Sequence, residues 1–324
     1  MRAPVLMTVA GVVLAGSLAV GQAPGRYNPM ITLLEQGQPV FGLYAPSNRR
    51  FPGQPDAAPK PVDELAREAL SRRDSDYIFD GSMEGDFERG FASFSDFMLG
   101  LSKAGLVARA PHLRVTHPVI VKMHEIAPDP AKAVANIGRQ LNLGVHGIMF
   151  VSAESADEVR TGIAAMRFKA RGGTRADDVG GAPAAWGMSE AEYRRRADVW
   201  PLNPAGELVN WTIIESKEGL ARVREIAAVP GIGVLWPGAG TLRQVFSTTG
   251  HDGKRVLDEP AWEAAIQQVL SACKEFKVAC GYPASAADIE LRMKQGFSVF
   301  VMGWGEPGFK AIDIGRKAAG RTSH

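Results

Sequence analysis

The stretch VNWTIIESKEGLARVREIAAVPGIGVLW, residues 209–236, contains a complete strand–helix–strand unit. Residues 209–214 are largely apolar over the length of a buried strand, and Ser216 then begins a helix whose apolar positions recur at helical spacing until Pro230. A second apolar run, residues 233–236, follows almost at once. Strands that are apolar on both faces and are joined through helices predict a parallel sheet that is covered on both sides.

The same alternation extends through most of the chain. The predicted strands are residues 40–44, 77–79, 119–123, 147–151, 209–214, 233–236, 278–282 and 298–302. Eight strands in about 280 residues, most of them followed by a helix, predict a TIM (β/α)₈ barrel rather than an open doubly wound sheet. No GxGxxG or Walker A sequence points to a nucleotide-binding fold instead.

Several of the predicted helices begin with a recognisable capping signal. Asp129 precedes a proline at the start of one helix, as expected for an N-cap residue. Ser155 and Glu158 have the spacing of a capping box, and Ser285 and Asp288 have the same spacing before a later apolar stripe. We therefore predict a serine-capped helix at both places.

Composition places the chain among ordinary globular proteins. Its 324 residues include 37 Lys and Arg against 35 Asp and Glu, a net charge of 37 − 35 = +2, with 45% hydrophobic and 22% charged residues. These values exclude a disordered, collagen-like or coiled-coil chain. Because neutralised phosphates supply most of the affinity for nucleic acid, a chain without excess positive charge predicts no nucleic-acid partner.

The first residues have the pattern of an export signal. Arg2 is followed by an apolar run, residues 5–20, which is shorter than the roughly 20 apolar residues of a membrane span. We predict a signal peptide over residues 1–23 and an exported protein, periplasmic or secreted, with no membrane span after signal removal. Residues 24–60 then form an N-terminal arm with the first strand, and residues 61–324 form the remainder of a single barrel domain.

Cys273 and Cys280 are the two cysteines of the chain. In an exported protein they could bridge a helix to the next strand, but spacing alone does not establish the geometry of a disulfide. We predict two buried thiols instead. Because the chain has no CxxC sequence, we predict no structural zinc site.

In a (β/α)₈ barrel, chemistry takes place at the carboxyl ends of the strands. Lys122 and His124 lie near the end of the third predicted strand, and their spacing places them on one face. Glu154 follows the fourth strand and Glu215 follows the fifth. Two carboxylates suit Mg²⁺ or Mn²⁺, and a histidine extends the choice to Co²⁺, Fe²⁺ or Zn²⁺. Simpler interpretations are that Glu154 only complements a helix N-terminus and that His124 only donates to a backbone carbonyl.

The sequences IIESKEGL, residues 213–220, and VPGIGV, residues 229–234, resemble a strand–helix–strand region of the HpcH/HpaI aldolase and citrate-lyase family. The resemblance extends over about residues 37–317, with supporting matches at 155–159, 167–180 and 296–303. It implies a barrel that cleaves or forms carbon–carbon bonds next to a metal-bound 2-oxo acid. It also implies a homo-oligomer, because the family usually packs its last helices against neighbouring subunits.

The resemblance assigns a metal-ligand role to Glu215, but the chain departs from the family at three other positions. Gly240 stands where the family has its second metal-binding aspartate, although the amides of Ala239 and Gly240 could still hold a substrate carboxylate. The family's catalytic histidine is absent from the sequence DGSMEGD, residues 80–86. Lys122 stands in place of a substrate-binding arginine and keeps the charge without the bidentate fork.

Together these residues predict a carbon–carbon lyase of aldolase type that acts on a 2-oxo acid or related small carbonyl substrate through a metal-stabilised enolate. Glu215, with Glu154 or His124, holds the divalent cation, and Lys122 pairs with the substrate carboxylate or oxyanion. His124 or Glu84 moves the proton. The alternative is a catalytically silent exported barrel that binds a small carboxylate or a protein partner.

The segment 171–207 is rich in Gly, Arg and Pro and is too long for a plain connection between two elements. We predict that it forms either a lid over the active site or a contact between subunits.

Overall fold

The computed structural model describes residues 25–48, 58–250 and 253–322, so the predicted signal peptide lies outside the described residues. Eight parallel strands surround the core. They are β1 (Val40–Tyr44), β2 (Tyr77–Asp80), β3 (Val119–Lys122), β4 (Gly147–Phe150), β5 (Leu208–Ile214), β6 (Ile232–Pro237), β7 (Ala279–Pro283) and β8 (Val299–Met302). All eight predicted strands are present, and each boundary lies within one residue of its prediction.

The strands pair in sequence order and close into a barrel. β8 returns to β1, with Val40 opposite Val299, and β4 pairs with β5, with Ile148 opposite Asn210. The TIM (β/α)₈ barrel is therefore confirmed.

Helices cover the outside of the barrel. They are α1 (Pro29–Glu35), α2 (Val62–Ser71), α3 (Phe87–Ala104), α4 (Pro130–Asn142), α5 (Ala156–Met166), α6 (Ala182–Ala185), α7 (Glu190–Arg196), α8 (Lys217–Ala221), α9 (Val223–Ala227), α10 (Ala239–Val245), α11 (Glu259–Phe276), α12 (Ile289–Gln295) and α13 (Glu306–Ala318). Short strand pairs, Val107–Ala108 with Arg114–Val115 and Ser247–Thr249 with Arg255–Leu257, lie outside the barrel. Within the described ranges, no helix combines the length and apolar character needed to cross a bilayer.

The predicted capping signals are correct for two helices and wrong for one. The Asp129 side chain caps α4, and the Ser155 hydroxyl accepts the N–H of Glu158 at 3.3 Å to cap α5. At α12, the N–H and hydroxyl of Ser285 instead donate to the Asp288 carboxylate, both at 2.7 Å. Asp288 occupies the cap position without a side-chain cap bond, because its carboxylate is turned back toward the preceding loop.

Cys273 and Cys280 form a disulfide, so the prediction of two buried thiols is wrong. Lys277 ends α11 in the left-handed conformation, with φ of +55°, and turns the chain back along the helix into β7. This turn brings the two cysteine Cα atoms to 5.6 Å, within the range that a disulfide requires.

Large aromatic side chains fill the barrel interior. The rings of Trp211 and Trp236 stack with centroids 5.4 Å apart, and Tyr77 lies edge-on against Trp211. Two glycines make room for these rings, because a Cβ at Gly42 would overlap Tyr77 and one at Gly281 would overlap Trp236. The interior is therefore a packed core, and space for a ligand remains at the ends of the strands.

The segment 171–207 does not form a lid, so that prediction is wrong. It connects α5 to β5, and a helix-to-strand connection lies at the amino-terminal end of the barrel, opposite the expected active site. Trp186 is fully buried there and stacks on His146 at 5.1 Å and on Tyr27 at 4.7 Å. A role of this segment in contacts between subunits stays a prediction.

Candidate active site

Three polar side chains mark the carboxyl-terminal mouth of the barrel. Lys122 is the last residue of β3, Tyr44 is the last residue of β1, and Glu215 directly follows β5. Lys122 interacts electrostatically with both Tyr44 and Glu215. The structure therefore brings Lys122 and Glu215, which the sequence predicted, together with Tyr44, which it did not.

Glu215 is buried, with 6% of its surface exposed, and its carboxylate is held by backbone and side chain of Ser152. The N–H and the hydroxyl of Ser152 both donate to Glu215 Oε1, at 3.0 Å and 3.1 Å. On the other side, a Cβ added at Gly238 would lie 2.7 Å from Glu215 Oε2. Only glycine lets the loop after β6 approach the carboxylate this closely.

Lys122 forms an ion pair with Glu84, which lies in the loop between β2 and α3. Its ammonium donates to Glu84 Oε1 at 2.9 Å and to Oε2 at 3.0 Å. Burial alone would lower the pKa of Lys122, but the charges of Glu84 and Glu215 and the Tyr44 hydroxyl raise it overall. Lys122 is therefore a cation at neutral pH, as a group that binds a carboxylate must be.

Two further groups at the mouth, Tyr44 and Asp80, have raised pKa values, so their neutral forms are favoured more than they would be in water. Burial raises the pKa of Tyr44, although the nearby Lys122 charge lowers it. Burial also raises the pKa of Asp80, although hydrogen bonds from the Ser82 N–H and hydroxyl oppose this change. The Tyr44 hydroxyl is therefore a hydrogen-bond donor at neutral pH.

His124 lies two residues beyond the end of β3, at the mouth of the barrel. Its Nδ1 lies 2.8 Å from the Glu125 carbonyl and its Nε2 lies 2.6 Å from Asn136 Nδ2. A carbonyl only accepts, so Nδ1 donates and Nε2 accepts from the amide. This arrangement matches the simpler interpretation of His124, and a role in proton transfer stays a prediction that these contacts disfavour.

The other predicted residues lie around the same mouth. Glu154 is half-buried beyond the end of β4, and Ala239 and Gly240 are the first two residues of α10. The first N–H groups of a helix have no acceptor within the helix, so those of Ala239 and Gly240 suit a substrate carboxylate. Their roles, like that of Glu154, stay predictions.

A cleft of about 330 Å³ opens at the mouth, next to the side chains that hold Lys122 and Glu215 rather than against those two residues themselves. Its lining consists of Glu84, His124, Glu125, Pro128, Asp129, Lys132, Val151 and Ser152. Glu84 and Ser152 belong both to this cleft and to the charged centre, so a ligand in the cleft reaches the two groups that hold Lys122 and Glu215. The volume is at the lower end of the range for small-molecule sites.

The prediction missed Ser152, Tyr44 and Gly238. Tyr44 could have been found as the last residue of a predicted strand, since all strands of a parallel barrel end at the same mouth. Ser152 has a φ of +49°, a backbone conformation that serine rarely adopts and that its sequence context does not signal.

A closed parallel barrel with a lysine and a buried carboxylate at its carboxyl-terminal mouth defines a TIM-barrel protein with an enzyme-like site. Comparison with known sequences identifies the family to which the chain belongs within this class. The chain belongs to the HpcH/HpaI aldolase/citrate lyase family, whose sequence signature matches residues 107–304.

Individual relatives are distant. A hydroxypyruvate/pyruvate aldolase from Paraburkholderia phytofirmans is 25% identical over 83% of this chain and 88% of its own length. A 2-dehydro-3,6-dideoxy-6-sulfogluconate aldolase from Pseudomonas putida is 26% identical over 49% of this chain, a match that spans only 58% of that relative. The crystal structure of an HpcH/HpaI aldolase/citrate lyase family protein from Burkholderia cenocepacia shares the fold, with a TM-score of 0.62, 22% identity, and coverage of 85% of this chain and 92% of that one.

Members of this family are generally dependent on a divalent metal, and the donor set of this chain partly fits one. Glu215 offers a hard carboxylate oxygen of the kind that Mg²⁺ and Mn²⁺ prefer, whereas Gly240 offers no side chain. In the described part of the chain, no three His, Cys, Asp or Glu side chains are grouped as metal ligands. Since Mg²⁺ commonly takes one or two carboxylates together with substrate oxygens and water, Glu215 fits a cation whose coordination the substrate completes.

Proposed function

We propose that the protein is a carbon–carbon lyase of aldolase type that cleaves a small 4-hydroxy-2-oxo acid, or a related carbonyl compound, into a 2-oxo acid and an aldehyde. Membership of the HpcH/HpaI family supports aldolase or lyase chemistry. The observation that carries the proposal is the placement of opposite charges at one mouth, where Lys122 ends β3 and the buried Glu215 follows β5. A small anionic substrate with a carbonyl group needs both a cation and a carboxylate of this kind.

In this reaction Lys122 binds the substrate carboxylate or the oxygen that becomes negative as the bond breaks. Such a preorganised donor contributes about 3 to 4 kcal/mol to transition-state stabilisation. Lys122 donates two of its three N–H groups to the oxygens of Glu84, which leaves the third for the incoming oxygen. The Glu84 side chain is 40% exposed, so a substrate bound to Lys122 also reaches its carboxylate.

Glu84 is then the group next to the substrate that can move a proton. As a carboxylate it takes the proton of the C4 hydroxyl while the C3–C4 bond breaks, the C4 oxygen forms the aldehyde and the bonding electron pair becomes the enolate of the 2-oxo acid. The same proton then returns to C3 and gives the neutral methyl or methylene carbon. General acid–base catalysis of this type contributes about 10²- to 10⁴-fold in rate.

Glu215 is the residue that would hold a divalent cation, with Glu154 as the second predicted ligand. Mg²⁺ or Mn²⁺ is the first expectation, and Co²⁺, Fe²⁺ or Zn²⁺ are alternatives. When bound, the cation supplies positive charge that polarises the substrate carbonyl and stabilises the enolate.

The export of the protein is also a proposal. The pattern of residues 1–23 predicts a signal peptide, and the Cys273–Cys280 disulfide supports an oxidising compartment, where such bonds persist. Secretion of the full chain fused to a reporter that is active only outside the cytoplasm tests it, and a reporter signal only from the cytoplasm would contradict it. Assembly into a homo-oligomer stays a prediction.

The experiment for the reaction is a substrate screen with the purified mature chain. The protein is stripped with EDTA, reloaded separately with Mg²⁺, Mn²⁺ or Co²⁺, and incubated with 4-hydroxy-2-oxo acids. The name of the Paraburkholderia relative makes pyruvate and hydroxypyruvate the first 2-oxo acids to detect. We expect 2-oxo acid release that depends on Glu215. No release and no metal uptake under any condition would favour the silent barrel that binds a carboxylate or a protein partner.

A further inference from the structure

Ser152 has a backbone conformation that needs a reason. Its φ is +49°, and among the described residues only Lys277 is another non-glycine residue with positive φ. Lys277 ends α11, a place where left-handed residues are common, whereas Ser152 follows a barrel strand. A non-glycine residue in such a conformation is strained, so the surrounding structure must hold it there.

The neighbours of Ser152 show how it is held. Phe150 pairs with Thr212 at the end of the β4–β5 ladder, and the Ala153 N–H donates to the Ile213 carbonyl at 3.1 Å. The chain therefore contacts β5 on both sides of Ser152. Ser152 itself is turned out of the ladder, in the manner of a bulge, and bulges often redirect a side chain next to an active site.

The result of this turn is a matched pair of donors on one oxygen. Both the N–H and the hydroxyl of Ser152 point to Glu215 Oε1, at 3.0 Å and 3.1 Å. In a regular strand the N–H of this residue would lie in the plane of the sheet and point to a neighbouring strand. On the opposite side, Gly238 packs against the Glu215 side chain, and its own N–H donates to the Ile214 carbonyl at 2.8 Å.

We propose that Ser152 is a positioning residue for Glu215: it occupies Oε1 with two donors and thereby presents Oε2 to the cation or substrate. This inference rests on the proposed function, because it assumes that Glu215 acts in the site. Ser152 acts through Glu215, because its N–H and its hydroxyl are both donated to Glu215 Oε1. Nothing in its sequence position marks this role, since the residue types around it are those of an ordinary strand end.

Two variants separate positioning from simple structural support. Ser152→Ala removes the hydroxyl and keeps the strained backbone, whereas Ser152→Gly removes the hydroxyl and also relieves the strain. Ser95→Ala is the matched control, because the Ser95 hydroxyl donates to the Phe91 carbonyl within α3 at 2.7 Å, remote from Glu215 in the chain. Glu215→Gln serves as the reference for complete loss of the carboxylate.

Two measurements are made on the purified chain. Binding of Mn²⁺ alone is measured by electron paramagnetic resonance, and exchange of the pyruvate methyl protons with deuterium oxide is followed by proton NMR. We expect both Ser152 variants to bind Mn²⁺ at least tenfold more weakly and to lower kcat for exchange at least tenfold. The KM for pyruvate should stay within twofold, because Lys122 is unchanged, and Ser95→Ala should match the wild type in both measurements.

Stability gives the third readout, because loss of a positioning residue lowers function without a matching loss of folded protein, whereas loss of a structural residue lowers both together. We expect the urea midpoint of Ser152→Gly to equal or exceed that of Ser152→Ala while the function of both is reduced. If both Ser152 variants keep wild-type Mn²⁺ affinity and exchange while Glu215→Gln loses them, the inference is wrong and the proposed function survives. If function falls only in proportion to lost folded protein, Ser152 is structural and the inference is also wrong. If the wild type neither binds Mn²⁺ nor exchanges pyruvate, the proposed function fails and takes this inference with it.

Discussion

Strand β5 carries a buried glutamate at each end, and the two differ in how their oxygens are used. Glu207 precedes the strand at the amino-terminal end of the barrel and is 4% exposed, and Glu215 follows it at the mouth and is 6% exposed. Oε1 of Glu207 accepts the Tyr27 N–H at 3.1 Å, and its Oε2 accepts the Asn28 N–H at 3.0 Å. Both oxygens of Glu207 therefore bind the backbone just before α1.

Glu215 has its two recorded donors, both from Ser152, on Oε1 alone. Equal burial at the two ends of one strand therefore does not mean equal function. A carboxylate that uses both oxygens to hold the backbone stabilises the fold, whereas one that is held through a single oxygen keeps the other for chemistry. The pair of glutamates allows this distinction to be tested within one strand.

The largest effect should come from Glu215→Gln. The change keeps the size of the side chain and its hydrogen bonds to Ser152, but it removes the charge that the site uses. We expect lyase or pyruvate-exchange activity to fall at least 10²-fold, about 3 kcal/mol in transition-state stabilisation, with the free energy of unfolding changed by less than about 1 kcal/mol. Steady-state kinetics and urea unfolding check the two parts. Activity within threefold of the wild type would show that Glu215 is not part of the site.

Glu207→Gln is the matched change at the other end of β5, and it should act on stability instead. An amide can accept only one of the two N–H groups of Tyr27 and Asn28, so one buried donor faces another donor. We expect the free energy of unfolding to fall by about 2 kcal/mol, while kcat and KM of the folded enzyme stay within twofold. Loss of activity without loss of stability would remove the distinction between the two ends of the strand.

The amino-terminal end should also dominate the acid sensitivity of the fold. His146 is fully buried against Trp186, and burial lowers the pKa of His146 to about 3. The unfolded chain takes up this proton near pH 6.5 and the folded chain does not, so stability is lost as the pH falls from about 6.5 toward 3. His146 contributes up to about 1.4 kcal/mol per pH unit in that window.

The variant His146→Asn isolates this contribution, because it keeps an acceptor for the Val119 N–H and has no charge at any pH. Urea unfolding of both proteins between pH 7 and pH 4 should show a shallower pH dependence for the variant. Parallel curves would mean that other groups cause the acid sensitivity.

The sequence predicted the fold more completely than it predicted the site. All eight strands were found because apolar runs between helix caps depend on local patterns, as in residues 209–236. For segment 171–207, the lid alternative was wrong because the length of the segment was considered without its topological position. Its aromatic residues pack at the amino-terminal end because every helix-to-strand connection of this barrel lies there.

For the site, sequence could find the charged groups but not their neighbours. Glu215 was predicted because a carboxylate after an apolar run needs a partner, and Lys122 because it ends a strand. The partner, Ser152, comes from another strand and depends on a single unusual backbone angle. His124 lines the same cleft as Glu84, but its contacts with the Glu125 carbonyl and with Asn136 depend on the loop after β3, which strand periodicity does not reveal.

The smallest effect should come from Lys122→Arg, which tests the prediction that Lys122 stands in place of a family arginine. The guanidinium keeps the positive charge and adds a fork that matches a carboxylate, but it is larger and replaces a side chain that is only 14% exposed. Its two donors can hold Glu84 as firmly as Lys122 does, so the gain in substrate binding is offset by a stronger internal pair. We expect kcat/KM for pyruvate exchange to change by less than tenfold and the free energy of unfolding by less than about 1 kcal/mol.

Lys122→Met, which removes the charge at similar length, is the control, and its kcat/KM should fall at least 10²-fold. Equal activity of the Met and Arg variants would show that the reaction does not use a positive charge at this position. The contrast between the amino-terminal end of the barrel, which stabilises the fold, and the mouth, which carries the chemistry, would then rest on Glu215 alone.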